Sequence, residues 1–203
     1  MAKHPFITAL LWLATLALPV GGVMAVRHFC VASFFVSTDS MKGTLQRGDY
    51  ILVNKLPLKD NPGRGRVVLF SSPLRKDSAL HPLFLSRCVG MPGDTITEGG
   101  YPLVVPKKGR AYRLDATSLK VCREAIRAEA GEKAVFREGK LFLDGRETTF
   151  FFFREDYYWM LSDNAGEAID SRHLGFVPRH HIIGNAWLCW LSPGKSRIFK
   201  LIR

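Results

Sequence analysis

The sequence predicts a mainly β protein. An antiparallel sheet forms its core, a smaller α+β insertion interrupts that core, and an N-terminal membrane-spanning helix precedes it. Three observations carry this prediction. The first is an uncharged run of 22 residues from Pro5 to Val26. The second is a series of short segments rich in β-branched and aromatic residues, each closed by turn residues. The third is that good helical periodicity occurs outside the N-terminus in only one stretch, near the middle of the chain.

The elements follow in order. At 1.5 Å per residue the apolar run PFITALLWLATLALPVGGVMAV would span about 33 Å, enough for a hydrocarbon core of roughly 30 Å. It also exceeds the roughly 7–15 residues of a cleavable leader's apolar segment, so residues 1–27 are expected to be a retained anchor. Pro19, Gly21 and Gly22 would kink its far half, which lipid-embedded helices tolerate. Lys3 and Arg27 flank it too evenly to orient it. Residues 28–95 then read as strands: FCVASFFV (29–36), YILVNKL (50–56), RVVLFSS (66–72) and FLSRCVGM (84–91), the last closed by Pro92-Gly93-Asp94.

Residues 96–155 change in character and are expected to form the insertion. YPLVVPKKG is extended between prolines. ATSLKVCREAIRAEAG reads as a helix with Leu119, Val121, Cys122, Ile126 and Ala130 on one face and Gly131 at its end. GKLFLDGRETTFFFF reads as a hairpin turning at Asp144-Gly145. Its four consecutive phenylalanines, 150–153, exceed what strand alternation needs, so burial on both faces is expected, with lipid contact the alternative. Residues 156–203 resume the core with YYWMLSDN (157–164), the segment around GFVP, and HIIGNAWLCWLS (181–192).

The formal net charge of +11 favours acidic partners. The basic residues are scattered, from Lys55 and Lys59 through Arg64, Arg66, Lys107 and Lys108 to Lys195, Arg197, Lys200 and Arg203. No helix gathers them and no zinc-finger or RNP-like spacing appears, so a membrane-facing surface is expected and nucleic-acid binding is not. The four cysteines, Cys30, Cys88, Cys122 and Cys189, show no CxxC spacing. That argues against a zinc site, and buried small hydrophobes are the preferred reading over a single disulfide. No metal or other cofactor is expected.

Five motifs arrive in order: the apolar N-terminus, SMKGTLQRGDYILVNK, GRVVLF, SRCVGMPGDTI and SDNAGEAIDSRHLGFVP. Together they resemble the bacterial type I signal peptidase family, the membrane-bound serine endopeptidases of family S26. The resemblance covers nearly the whole chain and implies a signal-peptidase-type β core. It implies a single-pass protein of the inner (cytoplasmic) membrane, with its main domain extracytoplasmic and signal peptides of exported preproteins as substrates. Ser40, followed by Met41, falls on the family's nucleophile. Thr38, with the Ser40 amide, falls on its oxyanion donors. Val36 and Ser37 would line the floor that receives an extended substrate, and Leu85 the facing strand. Asp170 and Arg172 match a buried ion pair beneath the site, and Asp163 and Asn164 an Asp-Asn pair.

The general base departs from this pattern. In the family a lysine, kept neutral by burial, precedes the arginine of the Arg-x-x-Gly-x-Pro-Gly-Asp motif. Here that arginine is Arg87 and the residue before it is Ser86. The serine that holds the lysine amine in the family is replaced by Ala168. Ser162 stands where glycine is expected, Gly43 where proline is expected, and Asp39 lies beside the nucleophile. A relocated base would have to come from His81 or from Lys42, which shares a face with Ser40 if the segment is a strand. His180 and His181 read as surface or packing residues. Two functions stay open. One is recognition and cleavage of signal peptides. The other is a catalytically weak or inactive homologue that binds them, or that partners an active signal peptidase or the export machinery.

Overall fold

The computed structural model describes residues 5–56, 62–74, 82–166 and 168–203. Helix α1 (Pro5–Phe29) runs unbroken through Pro19. Among the described residues no helix is long and apolar enough to cross a membrane. The spanning helix expected from sequence is therefore not established by the structure. What is seen is an apolar surface without cover, with Trp12, Leu13, Leu16 and Leu18 all exposed.

The core begins with β1 (Val31–Phe35), β2 (Tyr50–Asn54), β3 (Val67–Ser71) and β4 (Leu83–Gly90). The helix continues to Phe29, so β1 starts two residues later than the apolar run suggests. The insertion holds β5 (Thr95–Glu98), β6 (Tyr101–Val104) and β7 (Ala111–Arg113), then α2 (Ala116–Ala130). It closes with β8 (Ala134–Arg137), β9 (Lys140–Leu143), β10 (Arg146–Thr148) and β11 (Phe150–Phe152). The core resumes with β12 (Tyr157–Leu161), the short α3 (Ser171–Leu174), β13 (Val177–Pro178), β14 (Ile182–Leu191) and β15 (Lys200–Leu201).

The main sheet has the order β1-β2-β14-β3-β4-β12-β13, with β15 on β14. All its pairs are antiparallel, the arrangement the alternating segments predict. The last long strand in sequence, β14, thus lies between β2 and β3. Gly184 permits this approach, because a Cβ there would sit 2.1 Å from the Asn54 carbonyl oxygen. Val36, Met41, Leu45, Ile51, Val53 and Leu69 form one buried cluster beside the N-terminal half of the sheet. Its position matters for the site, since Met41 is fully buried and pins the turn that carries Ser40.

Within the insertion, Asp115 caps α2 as a capping box: its carboxylate accepts from the Ser118 amide at 2.7 Å, and Ser118 Oγ accepts from the Asp115 amide at 2.8 Å. Leu119, Cys122 and Ile126 of α2 join Phe151, Phe153, Tyr157 and Trp159 in one apolar cluster, so the insertion packs directly onto β12. The phenylalanine run departs from the expectation of burial on both faces. Phe151 and Phe153 are buried while Phe150 and Phe152 are 48% and 63% exposed. The reason is that β11 pairs on one edge with β7 and covers the cluster with one face only. The cysteines are all free, three of them buried and Cys30 partly so.

Candidate functional site

Ser40 sits where the chain leaves β1. Strand pairing ends as the Val36 amide donates to Asp49 O (2.8 Å), and a turn through residues 40–44 follows. This turn overturns the strand reading of the segment. Lys42 does not share a strand face with Ser40; it is exposed, and its amide closes the turn onto Asp39 O at 3.1 Å. The turn is clasped by a residue far along the chain. The Asn164 amide donates to Ser40 O at 2.9 Å, and Asn164 Nδ2 donates to Asp39 O at 3.1 Å.

The hydroxyl of Ser40 meets that of Thr38 at 3.1 Å. Both lie at the end of a cleft of about 440 Å³. Val36 and Ser37 form one wall, Leu83, Phe84 and Leu85 the other, Ile51 and Leu69 lie between, and Ile169 also lines it. Strand β12 pairs with β4 at Arg87, Cys88 and Gly90, leaving the Leu83–Leu85 stretch of β4 outside that ladder. The structure therefore brings Val36, Ser37, Thr38, Ser40 and Leu85 together along one cleft. It adds Phe34, Phe35, Ile51, Leu69 and Ile169, whose only sequence signal was apolar character beside the motifs.

Ser86 is separate from the cleft lining. It is fully buried, and its hydroxyl meets Ser162 Oγ at 3.2 Å. Ala168 is buried nearby in sequence to the ion pair that supports this region. Asp170, with no exposed surface, accepts from Arg172 Nε (3.0 Å) and Nη2 (2.6 Å), and from the Ser162 amide (3.0 Å). Burial pushes its carboxyl upward, but the bonds from Arg172 and from the Ser162 and Arg172 amides outweigh that and hold it below the usual carboxylate range.

Arg87 organises the other flank. It binds Asp163 through two parallel bonds of 2.9 and 2.7 Å, and donates to Thr44 Oγ1, Gly65 O and Arg203 O. The hydrogen bond from Arg87 lowers the Asp163 carboxyl against the opposing effect of burial, with Thr44 adding to it. Thr44, which no motif singles out, thus links the Ser40 turn to β4 and to Asp163. The Asp39 carboxylate is turned toward the Arg47 amide at 3.4 Å.

Among the described residues, Thr38 is the hydrogen-bond partner of the Ser40 hydroxyl, and no amine or imidazole reaches it. His180 is engaged with Glu155 (2.8 Å) and His181 with Ser71 (2.8 Å). His81 lies outside the described residues. The buried thiol of Cys88 is pushed up to about 12, which keeps it a protonated, inert group. Among the described residues no group of three or more His, Cys, Asp or Glu side chains is arranged to hold a metal ion.

Fold and site together define an antiparallel β protein whose apolar cleft ends in a serine hydroxyl on a clasped turn. The sequence profile of the family described as signal peptidase, peptidase S26, matches residues 9–191, and the chain belongs to that family. It is 29% identical to signal peptidase I of Pseudomonas aeruginosa, over 87% of this chain and 71% of the relative. It is 30% identical to signal peptidase I of Aquifex aeolicus, over 84% and 79% respectively. With signal peptidase I of Pseudomonas fluorescens the identity is 29%, over 84% and 68%.

Proposed function

We propose that this chain is a membrane-anchored, signal-peptidase-like protein that binds signal peptides in the Ser40 cleft and cleaves them weakly or not at all. The observation that carries this reading is the hydroxyl pair of Ser86 and Ser162 at 3.2 Å, buried where the family places an amine. Attack by Ser40 on a peptide carbonyl forms an O–C bond, moves the carbonyl electrons onto oxygen and releases the hydroxyl proton. Something must accept that proton. Ser86, Ser162 and Thr38 are alcohols, protonated throughout the physiological range, and can only pass hydrogen bonds among themselves.

The binding half of a peptidase has better support. The apolar cleft and the edge of β4 that β12 leaves open at Leu83–Leu85, opposite the edge paired with β3, suit an extended peptide that adds main-chain hydrogen bonds along a strand edge. Thr38 and the Ser40 amide are the groups assigned to the substrate carbonyl oxygen, and Asp163, Asn164, Asp170 and Arg172 hold the strands and turn that present them. An active signal peptidase or the export machinery is the partner this reading implies.

The test compares wild type with Ser40→Ala on a purified preprotein and on a labelled signal peptide. Equal, background-level cleavage with saturable binding by both proteins is expected, and binding at least tenfold weaker for Leu85→Arg. Complete processing of the preprotein by a catalytic amount of wild type, lost in Ser40→Ala, would overturn the reading.

Anchoring is supported by the 22 uncharged residues of the N-terminal run and by the exposed apolar side chains of α1. A row of rings continues from it over the sheet, Phe35 against Tyr50 at 5.2 Å and Tyr50 against Trp190 at 5.9 Å, amphipathic residues suited to a headgroup layer. The full chain is expected to stay in the membrane pellet through alkaline carbonate extraction, while a chain beginning at residue 30 is released. Release of both would refute the anchor.

A further inference from the structure

A second groove, on the insertion, shares no lining residue with the Ser40 cleft. It has a volume of about 370 Å³ and lies between α2 and the turn joining β8 to β9. Its apolar surface comes from Leu119, itself almost wholly buried, and from Phe136. Lys120 and Arg123, three residues apart and so on one face of the helix, supply its charge. The guanidinium of Arg123 lies 5.1 Å from the centre of the Phe136 ring, and that of Arg127 5.3 Å from the same ring. Arg127 also pairs with Glu124 at 3.2 Å. Among the described residues Lys120 and Arg123 have no acidic partner, and Glu138, at the far end on a turn with φ of 49°, is the one acid lining the groove.

We propose that this groove docks an acidic peptide segment of a partner protein, seating one aromatic or aliphatic side chain against Leu119 and Phe136 between carboxylates held by Lys120 and Arg123. The cation–π contact with Phe136 holds the Arg123 guanidinium at the groove without using its N–H donors, which leaves them free for a carboxylate. Leu119 and Phe136 are the large apolar residues of the lining, so the apolar seat is small. That combination of a narrow apolar seat with flanking cations is how acidic motifs are recognised. Glu138 in the lining and the Glu124–Arg127 pair beside it break up the positive charge around the groove, which suits a short peptide better than a lipid surface.

The probe is a labelled twelve-residue peptide with one phenylalanine flanked by Asp and Glu in a Gly-Ser background, titrated by fluorescence anisotropy into the full chain in neutral detergent. Saturable binding is expected. It should weaken at least tenfold when the carboxylates are replaced by amides, and at least tenfold for Lys120→Glu with Arg123→Glu. Signal-peptide binding in the Ser40 cleft should be unchanged in that variant, so the two sites fail or survive separately. Hydrogen exchange should slow in residues 116–139 on adding the probe. The milder Arg123→Gln, which keeps the helix and its cap, is expected to weaken binding several-fold and guards against misfolding of the double variant. Affinity equal in all variants, absence of saturable binding, or displacement of the probe by phosphatidylglycerol vesicles acting at the same residues would overturn the proposal.

Discussion

Replacing Asp170 with alanine is expected to lower the melting temperature by roughly 6–12 °C, at about 2–4 °C per kcal/mol for a chain of this size. The carboxylate has no exposed surface and makes the two Arg172 bonds, the Ser162 bond and the cap of α3. Removing one member of a buried pair costs about 3–5 kcal/mol, and Arg172, with 30% of its side chain exposed, can recover some solvation, so about 3 kcal/mol is expected. The Ser162 amide is left without its acceptor in the interior, an added cost of the same kind. The effect has a defined pH dependence. The folded-state pKa of Asp170 is lowered, so its contribution is complete above the unfolded carboxylate value of about 3.9 and disappears as pH falls below it toward the folded value. Wild type and Asp170→Ala should therefore differ fully from pH 5 to 7 and converge below about pH 4. A constant difference down to pH 2 would show that packing of the side chain, and not its charge, supports the site.

Where local chemistry decides structure, the sequence was readable. Helix α2 begins and ends where the text of the chain suggests, because the Asp115–Ser118 capping box and an apolar stripe of Leu119, Cys122 and Ile126 agree with each other. The strands β2, β3 and β4 were legible from their β-branched runs and turn residues, and the main-sheet order was not, since it depends on where β14 inserts. The phenylalanine run misled because composition cannot say whether one face of a strand is covered or both, and here only the face with Phe151 and Phe153 is. Lys42 would have shared a face with Ser40 only on a strand, and the turn at residues 40–44, pinned by the buried Met41, leaves it exposed. At the site, the motif residues were found by their type and order. Thr44 and Ile169 were not, because the first acts through a contact to Asp163, 119 positions away, and the second is an apolar residue in a polar segment. Ser86 was visible as a letter where the resemblance places a lysine; the contact of its hydroxyl with Ser162 Oγ was not, because it joins residues 76 positions apart.

The same hydroxyl pair leads to the other large effect, a gain of function. Ser86→Lys combined with Ala168→Ser and Ser162→Gly is expected to cleave a preprotein faster than wild type by about 10²–10⁴-fold, the usual contribution of a positioned general base. Position 86 has no exposed surface, so a lysine there loses hydration, its pKa falls and a neutral amine becomes available near neutrality. The rate should rise with pH through that lowered value. Ser162 Oγ lies only 3.2 Å from Ser86 Oγ and occupies the space the lysine chain would cross, so the variant that keeps Ser162 should be slower than the triple change. Adding Ser40→Ala should return cleavage to background. A triple variant that folds, binds signal peptide and still does not cleave would mean that the proton acceptor is not what this cleft lacks, and that the distance between Ser40 and β4 no longer suits catalysis.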